Sequence, residues 1–262
     1  MLSISPLPAF NDNYIWLLHD GTHAVVVDPG DAAPVQAALA AQVLQLIGIV
    51  ITHHHPDHTG GLAQLLAQWS VPVFGPDNEA IAGISQALRD GDSIELLGHR
   101  CDAIAVPGHT LDHMAFFIPS VDEQPPLLFS GDTLFAGGCG RVFEGTHEQM
   151  YQALMRLAAL PPQTRIFCAH EYTQANLAFA RAVEPDNTEL AMREQEIIAR
   201  RGRQEVTLPS MLSLELQTNP FLRCNSAALQ KALQQQGRLA TDPEQRSAES
   251  IFATLRTWKD NF

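Results

Sequence analysis

Positive charge is scarce in this chain, and scarcest in its first part. Of 16 Lys and Arg against 29 Asp and Glu in 262 residues, only Arg89, Arg100 and Arg141 fall within residues 1–150. The resulting net charge of −13 disfavours nucleic acid and anionic membrane surfaces as partners, since both are recognised through basic patches. Residues 151–262 supply nearly all the cations, so an anionic ligand bound by the first part would have to borrow charge from the second. No uninterrupted apolar run approaches the roughly 18 residues of a membrane span. The N-terminus, Met1-Leu2-Ser3-Ile4-Ser5-Pro6, lacks the basic start and long apolar core of a secretory signal, which makes the cytoplasm the expected compartment. Cys101, Cys139, Cys168 and Cys224 are widely scattered and form no CxxC pair, which argues against a disulfide framework and against a zinc ribbon. An apolar fraction of 45% with 17% charged residues excludes disorder and provides for a sizeable core. The length suggests one large domain and a smaller one.

What the chain does have is Thr52-His53-His54-His55-Pro56-Asp57-His58, directly after the apolar run Leu46 to Ile51. Imidazoles and a carboxylate packed this tightly point to a metal site, because a buried imidazole cluster repels itself on protonation. His53 and His55 alternate as extended residues do, so their rings can grip one ion from one side. Pro56 imposes an extended or turn backbone on its neighbours, which lets Asp57 and His58 face a second ion. The stretch reads as half of a two-metal site.

The first part alternates between strands and helices. Asn13 to Leu18 and Ala24 to Asp28 fit a hairpin about Asp20-Gly21; Ala33 to Gln45 and Gly61 to Trp69 have helical spacing. Ile47 to Ile51, Val71 to Phe74, Ser93 to Leu97, Asp102 to Val106, Met114 to Pro119, Leu127 to Ser130 and Arg165 to Ala169 read as strands. Thr146 and Gln149 have the spacing of a capping box, opening a helix that turns Tyr151, Leu154 and Leu157 inward. His109, Asp132 and His170 each follow the C-terminal end of a strand, where strand-built folds place their chemistry. After residue 171 the pattern is helical (Thr173 to Val183, Thr188 to Arg200, Asn225 to Gln236, Asp242 to Trp258) with no strand expected. Asp242, Pro243 and Gln245 form the start signal of the last helix.

Taken together, Thr52-His53-x-His55-x-Asp57-His58, Gly108-His109-Thr110, Gly131-Asp132-Thr133 and Ala169-His170-Glu171-Tyr172 resemble the motifs of the metallo-β-lactamase superfamily. Within it the chain is most similar to the glyoxalase II (hydroxyacylglutathione hydrolase) family, by Asn13-Tyr14, Phe135 to Thr146, Asn219 to Arg223 and Arg256-x-x-Lys259-Asp260. The resemblance covers essentially the whole chain. It implies an α/β fold: an αβ/βα metallo-β-lactamase sandwich over residues 1–170 as the catalytic domain, with a smaller all-α C-terminal domain over 171–262 that binds substrate. It implies two divalent metal ions, with zinc expected and iron or manganese compatible with the same ligands. By similarity one ion takes His53, His55 and His109, the other takes Asp57, His58 and His170, and Asp132 bridges them.

The implied activity is hydrolysis of S-(2-hydroxyacyl)glutathione thioesters such as S-D-lactoylglutathione, the second step of methylglyoxal detoxification. A water shared by two cations loses its proton near neutral pH and can attack the thioester carbonyl; the resemblance implies Asp57 and Asp132 as the catalytic carboxylates, with Asp57 expected to orient the nucleophile through its free oxygen. The family's glutathione-binding pattern maps onto Arg141, Phe143, Tyr172, Arg256 and Lys259. Arg256 and Lys259, at i and i+3 on one helix, would share a face and clasp one carboxylate. Arg141 stands where some relatives have Lys, and Phe143 where some have Tyr, which removes a hydroxyl donor. A monomer acting on a small molecule is expected. The same fold also hosts mono-iron sulfur dioxygenases, and a non-catalytic metal-dependent binding module is the reading from a different class. His54 and His113 read as packing or supporting histidines, Asp112 as a solvated loop carboxylate, and Cys139 as a small loop residue rather than a nucleophile.

Overall fold

The computed structural model describes residues 2–119, 124–239 and 246–262. The chain opens with β1 (Ser3–Ala9), β2 (Asn13–His19), β3 (His23–Val27), α1 (Ala32–Gln42), β4 (Gln45–Val50), the short α2 (Pro56–Thr59) and α3 (Leu62–Leu66), β5 (Val73–Pro76) and β6 (Gln86–Leu88). These six strands lie in sequence order in one sheet. It is antiparallel from β1 to β3 and parallel from β3 to β6. The chain continues through β7 (Ser93–Leu96), β8 (His99–Ala105), β9 (Met114–Ile118), β10 (Leu127–Gly131), the small hairpin β11 (Leu134–Phe135) and β12 (Gly138–Cys139), α4 (His147–Ala158) and β13 (Arg165–Cys168). It ends in α5 (Thr173–Val183), α6 (Thr188–Gly202), β14 (Ser210–Met211), α7 (Leu212–Thr218), a 3-10 turn at Pro220–Leu222, α8 (Ala227–Gln235) and α9 (Ala248–Asp260). The second sheet has the order β14-β13-β10-β9-β8-β7.

The two sheets are stacked with helices outside both, because their central strands are apolar on both faces. In β2, Trp16 and Leu18 turn into the space between the sheets, where they join Val25 and Val27 of the first sheet and Phe116, Phe129 and Phe167 of the second. Ile15 and Leu17 point the other way, onto Val35 and Leu39 of α1 and Leu62 and Leu65 of α3. On the far side, Ala115, Leu128 and Ile166 of the second sheet pack with Leu154 of α4, Phe179 of α5, Phe221 of the 3-10 turn and Phe252 of α9. Each such side chain contributes roughly 1.5–3 kcal/mol by leaving water. The αβ/βα sandwich is therefore present, and the helical segment after residue 170 shares the outer core of its second sheet.

The structure differs from the sequence reading at two strands. β1 was not anticipated, because Pro6 and Pro8 interrupt its pattern; it is an edge strand, paired only with β2, where proline is tolerated. A strand does occur after residue 171: Ser210 and Met211 pair antiparallel with Ile166 and Arg165, a stretch too short for periodicity to reveal. Pro56 keeps the preceding His55 extended, at φ −59 and ψ 144, and opens the one-turn α2 at its first position, for which its fixed φ is suited. The capping box of α4 is formed as expected from Thr146 and Gln149. The start signal Asp242-Pro243-Gln245 lies outside the described residues; α9 begins at Ala248, capped by the Ser247 side chain.

Candidate metal centre

The loop after β4 carries His53, His55, Asp57 and His58. The loops after β8, β10 and β13 bring His109, Asp132 and His170 to the same edge of the sandwich. Three ring nitrogens converge first: His53 Nε2 lies 3.0 Å and His109 Nε2 3.1 Å from His55 Nδ1. Beside them, Asp57 Oδ2 lies 3.4 Å from His58 Nε2 and 3.5 Å from His170 Nε2. Asp132 stands between the groups, with Oδ2 3.4 Å from His109 Nε2 and Oδ1 3.6 Å from His58 Nε2 and 3.3 Å from His170 Nε2. His53/His55/His109 and Asp57/His58/His170 each have the spacing to hold an ion. All seven residues singled out in the sequence are thus brought together.

Backing groups fix the rings. His58 Nδ1 lies 2.9 Å from Asp28 Oδ2, and His170 Nδ1 2.8 Å from Asp12 Oδ1. His109 Nδ1 faces the carbonyl of Arg141 at 2.9 Å, and His53 Nδ1 faces Thr52 Oγ1 at 3.0 Å. Such partners set which nitrogen stays free for an ion. Asp28 adopts a left-handed backbone at φ 54 and also accepts from the N–H and hydroxyl of Thr52 at 2.7 Å each. That conformation is uncommon outside glycine, and here it turns one carboxylate toward two loops. Gly131, at φ +48, lets the chain pass His113 closely; a Cβ there would lie 2.7 Å from the ring.

The electrostatics separate the two groups. Burial, followed by neighbouring imidazoles, lowers the pKa of His53 and His55, and burial lowers that of His109, so these rings are neutral. For His58 and His170 burial works the same way, but Asp132, with Asp28 behind His58, outweighs it and raises both. Burial likewise resists ionisation of Asp57 and Asp132, yet the adjoining His58, and for Asp132 also His170, hold both carboxyls well below their ordinary range.

The donor set fits divalent ions by an independent observation. His58 Nε2 and Asp132 Oδ1 are buried polar atoms without a hydrogen-bond partner, which a folded chain avoids unless something else satisfies them. Nitrogen and carboxylate oxygen suit zinc, iron and manganese alike.

A cavity of about 620 Å³ opens over the centre, lined by His55, Asp57, His109, Asp132 and His170 on one side and by residues of the helical segment on the other. Arg141, Phe143, Tyr172, Arg256 and Lys259 all line it. Tyr172 lies flat on His170, with ring centroids 4.7 Å apart and planes within 4°. Phe143 meets His109 edge-on at 5.2 Å. Lys259 Nζ donates to the Ala175 carbonyl at 3.2 Å. Arg256 departs from expectation. It is 3% exposed, and it donates to the carbonyls of Cys139 and Gly140 and to Asp260 Oδ1. It therefore holds the loop that forms the cavity floor, and it does not share a free cationic face with Lys259.

Other expectations divide. Asp112 is not a solvated carboxylate: it accepts from Thr110 and Asn78 and meets His54 Nδ1 at 3.0 Å. His54 is a supporting residue, its other nitrogen lying 3.3 Å from Glu144. Asp12, Asn13 and Asp28 were missed as supports of the centre. They lie far from their partners in the chain, and Asp28 in its Asp-Pro-Gly-Asp context signals only a turn. A second cavity, of about 630 Å³, lies between α5, α6 and α8, where Arg223 is paired with Glu184.

A model of the metallo-β-lactamase superfamily matches residues 9–170, and one for the hydroxyacylglutathione hydrolase C-terminus matches residues 171–262. Hydroxyacylglutathione hydrolase of Pseudomonas aeruginosa (strain LESB58) is 52% identical over 265 residues, covering 100% of both chains. The chain belongs to the hydroxyacylglutathione hydrolase family. Its namesake from Dechloromonas aromatica is 50% identical over 271 residues, again covering 100% of both chains. Among solved structures, ETHE1 from Myxococcus xanthus superposes with a TM-score of 0.63 at 21% identity over 98% of this chain and 99% of that one. At that identity the likeness speaks for the fold alone. The hydroxyacylglutathione hydrolase family thus accounts for both the sandwich and the helical segment that closes its cavity.

Proposed function

We propose that this chain hydrolyses S-(2-hydroxyacyl)glutathione thioesters, such as S-D-lactoylglutathione, to glutathione and a 2-hydroxy acid. The observation that carries the reading is the cavity itself: two ligand groups meet at Asp132 on one wall, and the opposite wall is the cationic end of α9. One ion would be held by His53, His55 and His109 and the other by Asp57, His58 and His170, with Asp132 facing both; zinc is the proposed metal. Two divalent ions, when bound, supply an activated water and a Lewis acid for the carbonyl oxygen. The chain's own residues do the rest. Asp57 and Asp132 remain ionised throughout the physiological range. Lys259 and Arg141 offer charge to the carboxylates of the glutathionyl tail, while Arg256 shapes the floor beneath it. Tyr172 walls the acyl-bearing end while Phe143, exposed at the cavity mouth, stands beside the glutathionyl tail, and the Tyr172 phenol, pushed up to about 12 by burial and the nearby Asp12 and Asp132, stays protonated as a donor.

The proposed division is a catalytic domain over 1–170 and a substrate-binding segment over 171–262. No helix among the described residues is long and apolar enough to cross a membrane. We assign the chain to the cytoplasm as a monomer. The test pairs elemental analysis with hydrolysis of S-D-lactoylglutathione followed at the thioester absorbance. Two ions per chain with turnover support the reading; a fully loaded chain that leaves the thioester intact overturns it.

A further inference from the structure

The turn between β1 and β2 reaches across the sandwich to the Asp57/His58/His170 group and leaves the other group untouched. Asp12 Oδ1 lies 2.8 Å from His170 Nδ1. Next to it, the Asn13 amide donates to Asp57 Oδ2 at 3.0 Å, the same oxygen that faces His58 and His170. The turn is itself fastened to the β13 end: the Glu171 N–H donates to the Asp12 carbonyl at 2.8 Å, and the Tyr14 N–H to the Ala169 carbonyl at 2.7 Å. His53 and His109 are backed instead by Thr52 and by the Arg141 carbonyl.

We infer that Asp12 and Asn13 are positioning residues that set the occupancy of the Asp57/His58/His170 ion position selectively. The inference rests on the two-position reading proposed above. A carboxylate behind an imidazole holds the ring proton on the nitrogen that faces it, here Nδ1 of His170, and makes the opposite nitrogen a stronger ligand. Asn13 acts on geometry: the Asp57 side chain is 38% exposed and can swing toward water, and the amide holds one oxygen turned inward. His58 needs no such help, being fully buried against Asp28. The two ligands of this position that stand nearest solvent and farthest apart in sequence are thus oriented by one turn.

The test uses the full chain loaded with Zn²⁺ and dialysed against graded chelator, with ions per chain counted at each step. For Asp12→Ala and Asn13→Ala one ion should leave at chelator levels about 10- to 100-fold lower than in the parent, the usual cost of an outer partner, while the other leaves at the parent level. Asp12→Asn, which keeps an acceptor for the ring N–H, should retain the ion better than Asp12→Ala and serves where the alanine variant does not fold. Retention of both ions at parent levels, simultaneous loss of both, or equal loss in Asp12→Asn and Asp12→Ala overturns the inference. Turnover is not read, so a parent chain that binds two ions yet spares the thioester defeats the proposed activity and leaves this inference standing. A parent chain holding a single ion defeats the two-position reading before any variant is made.

Discussion

His113 accepts the backbone N–H of Asp132 at 3.0 Å through Nε2 and lies stacked on His53, with centroids 4.5 Å apart and planes 19° apart. An imidazole that accepts through Nε2 carries its proton on Nδ1, here 3.4 Å from Thr133 Oγ1. Burial, then the neighbouring His109, pushes its pKa down to about 3, so the ring is neutral and its acceptor constant. His113→Leu would leave the Asp132 N–H buried without an acceptor, at a cost of about 1–3 kcal/mol. Urea unfolding of the metal-stripped variant should show that loss; unchanged stability would mean the bond is not made in solution.

An anion bound at Lys259 would have an affinity with a pH limb of its own. Burial, followed by repulsion from Arg256, brings the pKa of Lys259 down to about 8. A bound carboxylate favours the charged amine and raises that pKa, so the free chain loses the proton at a lower pH than the complex does. KM should therefore climb above about pH 8, by up to about tenfold per pH unit, with kcat steady. For folding the sign is opposite: the unfolded chain holds the proton up to the ordinary 10.5, so this group's contribution to stability improves as pH rises from about 8 toward that value. Lys259→Met should raise KM at pH 7 and abolish the limb; a limb that survives belongs to another group.

The seven residues of the candidate centre could be picked out because each sits in a local pattern, an imidazole or carboxylate just past an apolar strand with glycine or threonine beside it. The supports were not. Asp12 and His170 are 158 positions apart, as are nearly as many between Tyr14 and Glu171, and no periodicity joins them. The sheet order likewise depends on which strands pair, and β1 was hidden by its two prolines. Arg256 and Lys259 have the spacing of one helical face. Whether either guanidinium or amine is free, however, depends on the Cys139–Gly140 loop packed against α9, which only the folded chain reveals.

Cys139 is buried, its thiol pushed up to about 11 by burial, and its sulfur lies 3.6 Å from the Arg256 guanidinium. A thiol in that state is a poor nucleophile at neutral pH. Cys139→Ser should keep kcat within about threefold of the parent, because a neutral thiol that takes no part in the chemistry can be replaced by a hydroxyl without removing a nucleophile. Treatment of the parent with iodoacetamide should likewise leave turnover intact. Stoichiometric inactivation accompanied by labelling of Cys139 would count against this reading.

Asp57 faces both His58 and His170 through one oxygen, so its removal takes away an ionised carboxylate from the candidate centre and leaves the two rings facing each other. Asp57→Ala should lose ion and rate together, by more than the about 10- to 100-fold expected for an outer partner. Elemental analysis beside thioester turnover decides the matter. Two ions and full rate in the variant would contradict the assignment.

Phe143 is 62% exposed at the cavity mouth, its ring edge-on to His55 at 5.8 Å and to His109 at 5.2 Å. Phe143 lines the same cavity as Arg141 and Lys259, so a hydroxyl at its para position would add a donor to that lining. One added hydrogen bond is worth about 0.5–1.5 kcal/mol net, so Phe143→Tyr should lower KM by about 2- to 10-fold. The group would touch a part of the ligand that does not react, and binding of that kind is equal in ground and transition states, so kcat should not move. Steady-state kinetics at fixed metal content reads both constants. A changed kcat would place the ring against the reacting carbonyl, and an unchanged KM would leave recognition of the tail to the cations alone.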